Sequence, residues 1–216
     1  MTFAEMKELV IIGAGGMGRE IHYTATHSIG YGTEFIVKGF IDDDMHAHSG
    51  FQGYPPILDT IQDYKIQKND VFVCSMGDVT DRERAWKHIK EAGGHFQTLI
   101  HQNAIIKTNA KIGEGTIVDA FAILSCDAEI GEDCLIQQAA IIGHDVKIGK
   151  HCRIDCQSFF VGGVIVGDRC TIHTAAVLNH HVEVGDDATV GACSFVIRKV
   201  KPKSTVWGNP AKKLEF

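Results

Sequence analysis

The sequence of 216 residues has no CxxC pair, no block of basic residues and no apolar run long enough to span a membrane. Its seven cysteines are an odd number without zinc-knuckle spacing, so neither a disulfide framework nor a CxxC metal site is predicted. The 27 Asp and Glu outnumber the 21 Lys and Arg, which disfavours nucleic acid as a partner. Only a short apolar run precedes the first glycines, so no signal peptide is predicted. We expect a cytoplasmic protein without a membrane partner.

The second half of the chain carries a strict six-residue repeat. Every sixth residue from Ile100 to Val196 is aliphatic, except for the aromatic Phe160, and a small residue or valine follows four positions later. Three hexapeptides form one structural turn, because a set of glycines recurs every eighteen residues. These glycines are Gly113, Gly131, Gly149, Gly167 and Gly185.

This period fits a solenoid of short parallel strands and excludes a helix, since six residues on a 3.6-residue helix do not share a face. We predict an all-β parallel β-helix over residues 100–216, with three flat sides per coil. Glycines at the corners are expected to use backbone angles closed to other residues. Cys134, Cys152 and Cys170 share one interior position and are expected to stack as compact apolar groups.

The first 99 residues read as a small α/β domain. Strands are predicted over Glu8–Ile12, Phe35–Ile41 and Asp70–Met76, with helices from Arg19 and from Asp81. The order β-α-β-β-α-β is that of an abbreviated Rossmann-like domain, which binds its ligand at the carboxyl ends of the strands. About one hundred residues leave no room for a dehydrogenase's catalytic domain, so we expect an accessory domain that holds a nucleotide-bearing substrate.

A glycine-rich turn and two carboxylates lie where such a domain binds a nucleotide. The turn follows the first strand with GxGxxG spacing, and the carboxylates follow the second strand. Glycine-rich turns also serve close packing, and that alternative stays open. The candidate substrate-binding residues are Gly13, Gly15, Gly16, Met17, Asp42 and Asp43.

The outward-facing positions of the repeat contain a candidate catalytic site. His144 and Asp145 lie one coil beneath Gly162 and Gly163, because positions eighteen apart stack. A neutral imidazole beside a carboxylate can accept a proton, and glycine backbone N–H groups can stabilise the oxyanion of a thioester carbonyl. The alternative, an outward polar residue beside turn-forming glycines, is equally compatible with the spacing.

Several motifs together resemble a known family. The hexapeptide array resembles the left-handed β-helix acyltransferases. With the GAGGMG loop, the segment 40–43, and the segment 75–78 followed by Arg82, the chain looks like the bacterial nucleotide-sugar N-acetyltransferases. These act on UDP-4-amino sugars or GDP-perosamine, and the sialic acid O-acetyltransferases are close relatives. The joining segment 99–104 and the tail 208–212 are similar to the family at matching places.

The resemblance implies an activity and an assembly. It implies that acetyl-CoA is the cosubstrate, that the acceptor is the amino group of a nucleotide-linked sugar, and that the protein is a homotrimer with acetyl-CoA between neighbouring prisms. His144 would be the catalytic base and Asp145, often Glu in the family, would orient it. Gly162, Gly163 and Arg153 would bind the cofactor.

The first domain is the part of the chain that the resemblance assigns to the sugar nucleotide. There Gly77 and Arg82 join the substrate-binding candidates. Two departures bear on the identity of the sugar: Met17 stands where some relatives carry a substrate-contacting His, and Arg153 replaces a His near the cofactor.

Three other interpretations remain open. The chain could be a sialic acid O-acetyltransferase, a carbonic-anhydrase-like enzyme or a non-catalytic nucleotide sensor. In the second case histidines of adjacent subunits would bind zinc, and His173, His180 and His181 are the candidates. No metal site is expected under the favoured interpretation. The lysines at positions 199, 201 and 203 could meet coenzyme A phosphates, but a solvated terminal turn is favoured.

Overall fold

The computed structural model describes residues 5–214. The chain divides into two compact units, Met1–Gln102 and Asn103–Phe216. The division follows Gln102, whereas the sequence predicts it after Leu99. Within the described residues, no helix combines the length and the apolar character that crossing a membrane requires.

The first unit is built on a four-stranded parallel sheet. Its elements are β1 (Lys7–Ile12), α1 (Gly16–Thr26), β2 (Phe35–Ile41), β3 (Ile57–Asp59), β4 (Asp70–Cys74), α2 (Val79–Glu91) and β5 (Leu99–Ile100). The sheet order is β3-β2-β1-β4, and every pair is parallel. Residues 9–12 of the central strand β1 are fully buried, as expected for a parallel strand covered on both faces. The predicted Rossmann-like domain is confirmed, with β3 as a strand too short for its periodicity to be recognised.

A buried carboxylate connects several elements of this unit. The side chain of Asp70 is fully buried and accepts hydrogen bonds from Lys38 Nζ at 2.7 Å, the Tyr64 hydroxyl at 2.8 Å and the Gln67 backbone N–H at 2.7 Å. Lys38 also pairs with Glu8 at 2.8 Å. Burial lowers the pKa of Lys38, but its hydrogen bonds to the two carboxylates outweigh this and raise it overall. Burial, followed by the bond to Asp70, raises the pKa of Tyr64 to about 12.

The second unit is a prism of short strands. On the first face lie β6 (Ile105–Ile106), β9 (Ile123–Leu124), β12 (Ile141–Ile142), β15 (Phe159–Phe160), β18 (Val177–Leu178) and β21 (Phe195–Val196). On the second face lie β7 (Lys111–Ile112), β10 (Glu129–Ile130), β13 (Lys147–Ile148), β16 (Ile165–Val166) and β19 (Glu183–Val184). On the third face lie β8 (Ile117–Val118), β11 (Leu135–Ile136), β14 (Arg153–Ile154), β17 (Thr171–Ile172), β20 (Thr189–Val190), β22 (Thr205–Trp207) and β23 (Lys212–Lys213).

Pairing between the coils follows the eighteen-residue period. Ile142 on β12 pairs with Phe160 on β15, and Ile148 on β13 pairs with Val166 on β16, in parallel. The aliphatic residues of the repeat are buried from Val118 onward and form one continuous core with the small residues. The predicted left-handed parallel β-helix is confirmed.

The interior cysteine column is also confirmed. Each of its three thiols is buried and donates a hydrogen bond to a glycine carbonyl of the next coil. The pairs are Cys134 to Gly149 at 3.0 Å, Cys152 to Gly167 at 3.1 Å and Cys170 to Gly185 at 3.1 Å. All seven cysteines are free thiols.

The recurring glycines are required for a different reason from the one predicted. None of the five has a positive φ. A Cβ at Gly113 would instead lie 2.5 Å from the backbone nitrogen of Glu132, in the next coil. Positive φ values occur at corner residues such as Asp127 (60°) and Asp145 (58°), since Asp tolerates this region better than most residues. The glycines therefore permit close stacking of coils.

Candidate active site

His144 and Asp145 form a corner between β12 and β13. The His144 Nδ1–H donates to Oδ2 of Asp145 at 2.7 Å, and the two side chains are 64% and 66% exposed. With Nδ1 protonated, Nε2 carries the lone pair, and no group within residues 5–214 hydrogen-bonds to it. The geometry is that of an accessible general base oriented by a carboxylate.

Gly162 lies directly above this imidazole. A Cβ built on Gly162 would overlap Cε1 and Nε2 of His144. The backbone N–H of Gly162 has no acceptor in the part of the chain that the structure describes. A carbonyl bound beside Gly162 would meet an available backbone donor close to the basic nitrogen, which is the arrangement that stabilises an oxyanion during acyl transfer.

Gly163 differs from the prediction. Its N–H donates to the backbone oxygen of His144 at 2.9 Å, so it is not available to a substrate. A Cβ on Gly163 would overlap the Nδ1 atom of His181 and not the His144–Asp145 pair. Its φ of 74° also favours glycine at this corner. Of the two glycine N–H groups expected to stabilise the oxyanion, that of Gly163 is therefore already used within the protein.

Arg153 lies on a different face of the prism from the His144 corner. Its guanidinium binds Asp155 through Nε at 2.6 Å and Nη2 at 3.2 Å. Asp155 is nearly buried and also accepts hydrogen bonds from Gln137 at 3.1 Å and His173 at 3.0 Å. One chain therefore does not bring Arg153 and His144 together.

Within one chain, the three candidate histidines of the zinc alternative lie at two separate places. His173 belongs to the Asp155 cluster, whereas the rings of His180 and His181 lie 4.0 Å apart at the corner near His144. Residues 5–214 contain no group of three or more His, Cys, Asp or Glu side chains placed to hold a metal ion.

The terminal lysines lie on the surface. Lys199 forms an ion pair with Glu183, and Lys201 and Lys203 are exposed. The pairing of Lys199 is consistent with the solvated turn favoured from the sequence.

The glycine loop before α1 contains packing positions and open positions. A Cβ on Gly13 would lie 2.8 Å from Ser75 Oγ, and one on Gly18 would overlap the Gly13 carbonyl oxygen, so both permit close packing. A Cβ on Gly15 would meet nothing within 4 Å, and one on Gly16 would make only an ordinary contact. Helix α1 has no side-chain cap. Open space at an uncapped helix N-terminus is suited to phosphate.

The two carboxylates after β2 have different surroundings. Asp42 Oδ2 accepts the Ala14 N–H at 2.6 Å and so holds the glycine loop in place. Asp43 is exposed, and its Oδ1 accepts the Ile61 N–H at 3.2 Å. Met17 is half-buried in the first turn of α1. Asp42 therefore serves the loop, and Asp43 is the more accessible candidate for a substrate.

Arg82 is a correction to the predicted substrate site. It has no exposed surface, and its guanidinium donates to the carbonyls of Cys74 at 2.8 and 2.9 Å and Met76 at 2.9 Å. It therefore supports the turn between β4 and α2, in which Gly77 is half-buried. A fully buried guanidinium cannot contact a substrate directly.

One contact beside the glycine loop was not predicted from the sequence. The Arg19 guanidinium carbon lies 3.7 Å from the centroid of the half-exposed Phe51 ring, a cation–π contact. The only signal was an arginine directly after GxGxxG. The fold of the 42–56 segment, which brings Phe51 to α1, has no local sequence signature.

The solenoid with its corner histidine and the Rossmann-like unit define a hexapeptide-repeat protein of the left-handed β-helix class. The family model described as the GMPPB C-terminal domain matches residues 90–200, just over half of the chain, and the chain belongs to that family. A second model, the PglD N-terminal domain, matches residues 8–89.

The chain is also similar to named acetyltransferases. The chain is 28% identical over 119 residues to UDP-N-acetylbacillosamine N-acetyltransferase of Bacillus subtilis (strain 168), covering 53% of this chain and 52% of the relative, so it spans about half of that protein's length. The acetyltransferase domain of PglB from Neisseria gonorrhoeae FA1090, solved with acetyl coenzyme A, is 26% identical with a TM-score of 0.87 over 97% of this chain and 100% of that chain. PerB from Caulobacter crescentus, solved with CoA and GDP-perosamine, is 25% identical with a TM-score of 0.87 over 98% and 99%. The resemblance stated from the sequence is confirmed.

Proposed function

We propose that the chain is an acetyl-CoA-dependent acetyltransferase that acts on the amino group of a nucleotide-linked sugar in surface-glycan biosynthesis. The observation that carries the proposal is the His144–Asp145 pair at 2.7 Å beneath the bare backbone of Gly162. It supplies a base and an oxyanion donor at one accessible corner. One relative was solved with acetyl coenzyme A and another with CoA and GDP-perosamine, which supports this choice of donor and acceptor.

The proposed chemistry needs one base and one backbone donor. The sugar amine attacks the thioester carbonyl while its proton passes to Nε2 of His144. The Asp145 carboxylate stabilises the resulting imidazolium through Nδ1–H, and the Gly162 N–H stabilises the oxyanion. The C–S bond then breaks and the electron pair leaves with sulfur. A thiolate is a good leaving group, so little acid catalysis is required.

The first unit would hold the sugar nucleotide. The open loop at Gly15 and Gly16, together with the exposed Asp43, supports this role, since the α1 N-terminus suits a phosphate and a carboxylate suits a ribose or sugar hydroxyl. Asp42 and Arg82 would act indirectly, by holding the loops in place.

We further propose a homotrimer with acetyl-CoA bound between neighbouring prisms. Support comes from Arg153, which the resemblance assigns to the cofactor. It lies on a different face of the prism from His144, so only a second chain could bring an Arg153 side chain to the His144 corner. Sedimentation velocity would test this: a fully active monomer would contradict it. We also propose a location in the cytoplasm, which the proposed use of acetyl-CoA supports.

A thiol-release assay with acetyl-CoA and a panel of UDP-, GDP- and CMP-linked amino sugars tests the function. His144→Ala should fold normally, since the side chain points outward, and should lose about a hundredfold or more in kcat, as for removal of a general base. Asp145→Asn should lose less, because it weakens only the orientation of the imidazole.

Three outcomes would count against the proposal. Wild-type kcat in His144→Ala would remove the base assignment. Greater damage from Asp145→Asn than from His144→Ala would reverse the two roles. If sialic acid, and none of the amino sugars, supports thiol release by the wild-type protein, the O-acetyltransferase alternative is correct.

A further inference from the structure

A second imidazole shares the corner column with His144. His180 lies two coils beyond His144, and Gly162 stands between them without a side chain. Adjacent coils are about 4.8 Å apart, so two coils separate the backbones by about 10 Å. The ring centroids of His144 and His180 are nevertheless only 6.5 Å apart. The two rings therefore lean toward each other across a gap beside Gly162, which is the space between the exposed edges of His144 and His180.

The two imidazoles have different partners. His144 donates its Nδ1–H to Asp145, which leaves Nε2 as an acceptor. His180 has no carboxylate or other hydrogen-bond partner within the described residues, and it packs against the ring of His181 at 4.0 Å. A neutral imidazole always carries one N–H donor. His180 can therefore offer a donor on the side of the gap opposite the base.

We propose that His180 is a second catalytic residue, which donates a hydrogen bond to the thioester sulfur as coenzyme A leaves. The inference rests on the proposed acetyl transfer. The entering amine must lie beside His144, which takes its proton, and the carbonyl oxygen must face the Gly162 N–H. The sulfur is then assigned to the remaining side of the gap, where His180 lies.

The step balances without a further reactant. The C–N bond forms as the amine proton passes to Nε2 of His144, and the C–S bond breaks with its electron pair on sulfur. The His180 N–H stabilises this thiolate. The proton held by His144 then returns through water to the sulfur, which gives the amide, free thiol and neutral imidazole.

Two substitutions of His180 separate the donor from the shape of the ring. His180→Leu should lower kcat in the thiol-release assay about tenfold, as expected for loss of a hydrogen bond to a charged group, without raising the KM for the sugar nucleotide. His180→Gln or His180→Asn, which place an amide N–H near one or the other ring nitrogen, should recover most of that loss. A purely structural role would not give this pattern of rescue.

Thr174→Leu is the matched control. Thr174 occupies the equivalent corner position one hexapeptide earlier, on another edge of the prism, and it is exposed. The kcat of Thr174→Leu should stay within about twofold of the wild-type value. Unfolding monitored by circular dichroism checks that each variant is folded.

The results that overturn the inference differ from those that overturn the function. A wild-type protein that releases no thiol with any amino sugar refutes the proposed function. With an active wild type, normal kcat in His180→Leu, an equal loss in Thr174→Leu, or no recovery in either amide variant refutes the role of His180. If His180→Leu keeps the wild-type kcat but changes the preference between acetyl-CoA and propionyl-CoA, the acyl methyl group lies beside His180 and the sulfur does not.

Discussion

Adding a single methyl group at Gly162 is the most direct test of the site geometry. A Cβ at this position would overlap the His144 imidazole, whereas ordinary contacts begin at 3.4 Å. The ring would have to move by about 1 Å, and a displacement of that size in a catalytic group costs about a hundredfold in rate. Gly162→Ala should therefore lower kcat by about two orders of magnitude, or about 2.7 kcal/mol of transition-state stabilisation.

The fold should tolerate this change. Gly162 does not have a positive φ, so alanine can adopt its backbone conformation, and the ring that must yield is exposed. We expect unchanged unfolding by circular dichroism. The assay is steady-state thiol release at saturating sugar nucleotide.

A double-mutant cycle distinguishes displacement of the imidazole from obstruction of the substrate. In a His144→Ala background there is no ring to move, so adding Gly162→Ala should change the residual kcat by less than about threefold. An equally large loss in both backgrounds would refute the reasoning, because the methyl group would then act on the substrate. Wild-type kcat in the single variant Gly162→Ala would also refute it.

Two further predictions concern the first unit. Asp43→Ala should raise the KM for the sugar nucleotide several-fold and leave the KM for acetyl-CoA unchanged. Asp44→Ala is the matched exposed control. An equal rise in both KM values for Asp43→Ala would mean that the position shapes the fold. The free energy of unfolding, from urea titrations, should fall as pH rises from about 10 to about 12, because the unfolded chain releases the Tyr64 proton near pH 10.0 and the folded chain holds it to about 12. Tyr64→Phe should make this fall less steep and should not abolish it, because the raised pKa of Lys38 acts in the same direction. The exposed control Tyr23→Phe should leave the slope unchanged, and an unchanged slope in Tyr64→Phe would contradict the assignment.

The solenoid was predictable because its period fixes the pairing. Once eighteen residues make a coil, Ile142 must lie beside Phe160, and His144 must lie beneath Gly162. No tertiary information beyond the repeat is needed for these contacts. The proximity of His144 and Gly162 could therefore be predicted from spacing alone, whereas a catalytic role for them could not.

Side-chain direction and the satisfaction of backbone donors were not predictable in the same way. Gly163 was placed in the right coil, but its N–H is taken by the His144 carbonyl and its free side faces His181. Arg82 fits the motif of the family, but its guanidinium donates its hydrogen bonds to carbonyls of the turn before α2. The hydrogen-bond partners of Gly163 and Arg82 depend on which backbone groups the neighbouring turns leave unpaired, and residue spacing does not indicate which groups these are.

The backbone at the corner is held independently of the side chains that would do the chemistry. The Asp145 N–H donates to the Cys126 carbonyl in the coil below at 3.2 Å, and the His144 carbonyl accepts the Gly163 N–H from the coil above at 2.9 Å. Inward-facing Val146 and Ile142 fix the adjoining strands in the core. Because these bonds use only main-chain atoms, truncating His144 removes none of them. Stability resides in the inward positions of the repeat and chemistry in the outward ones, so the variants that abolish acetyl transfer should unfold at the same temperature as the wild-type protein.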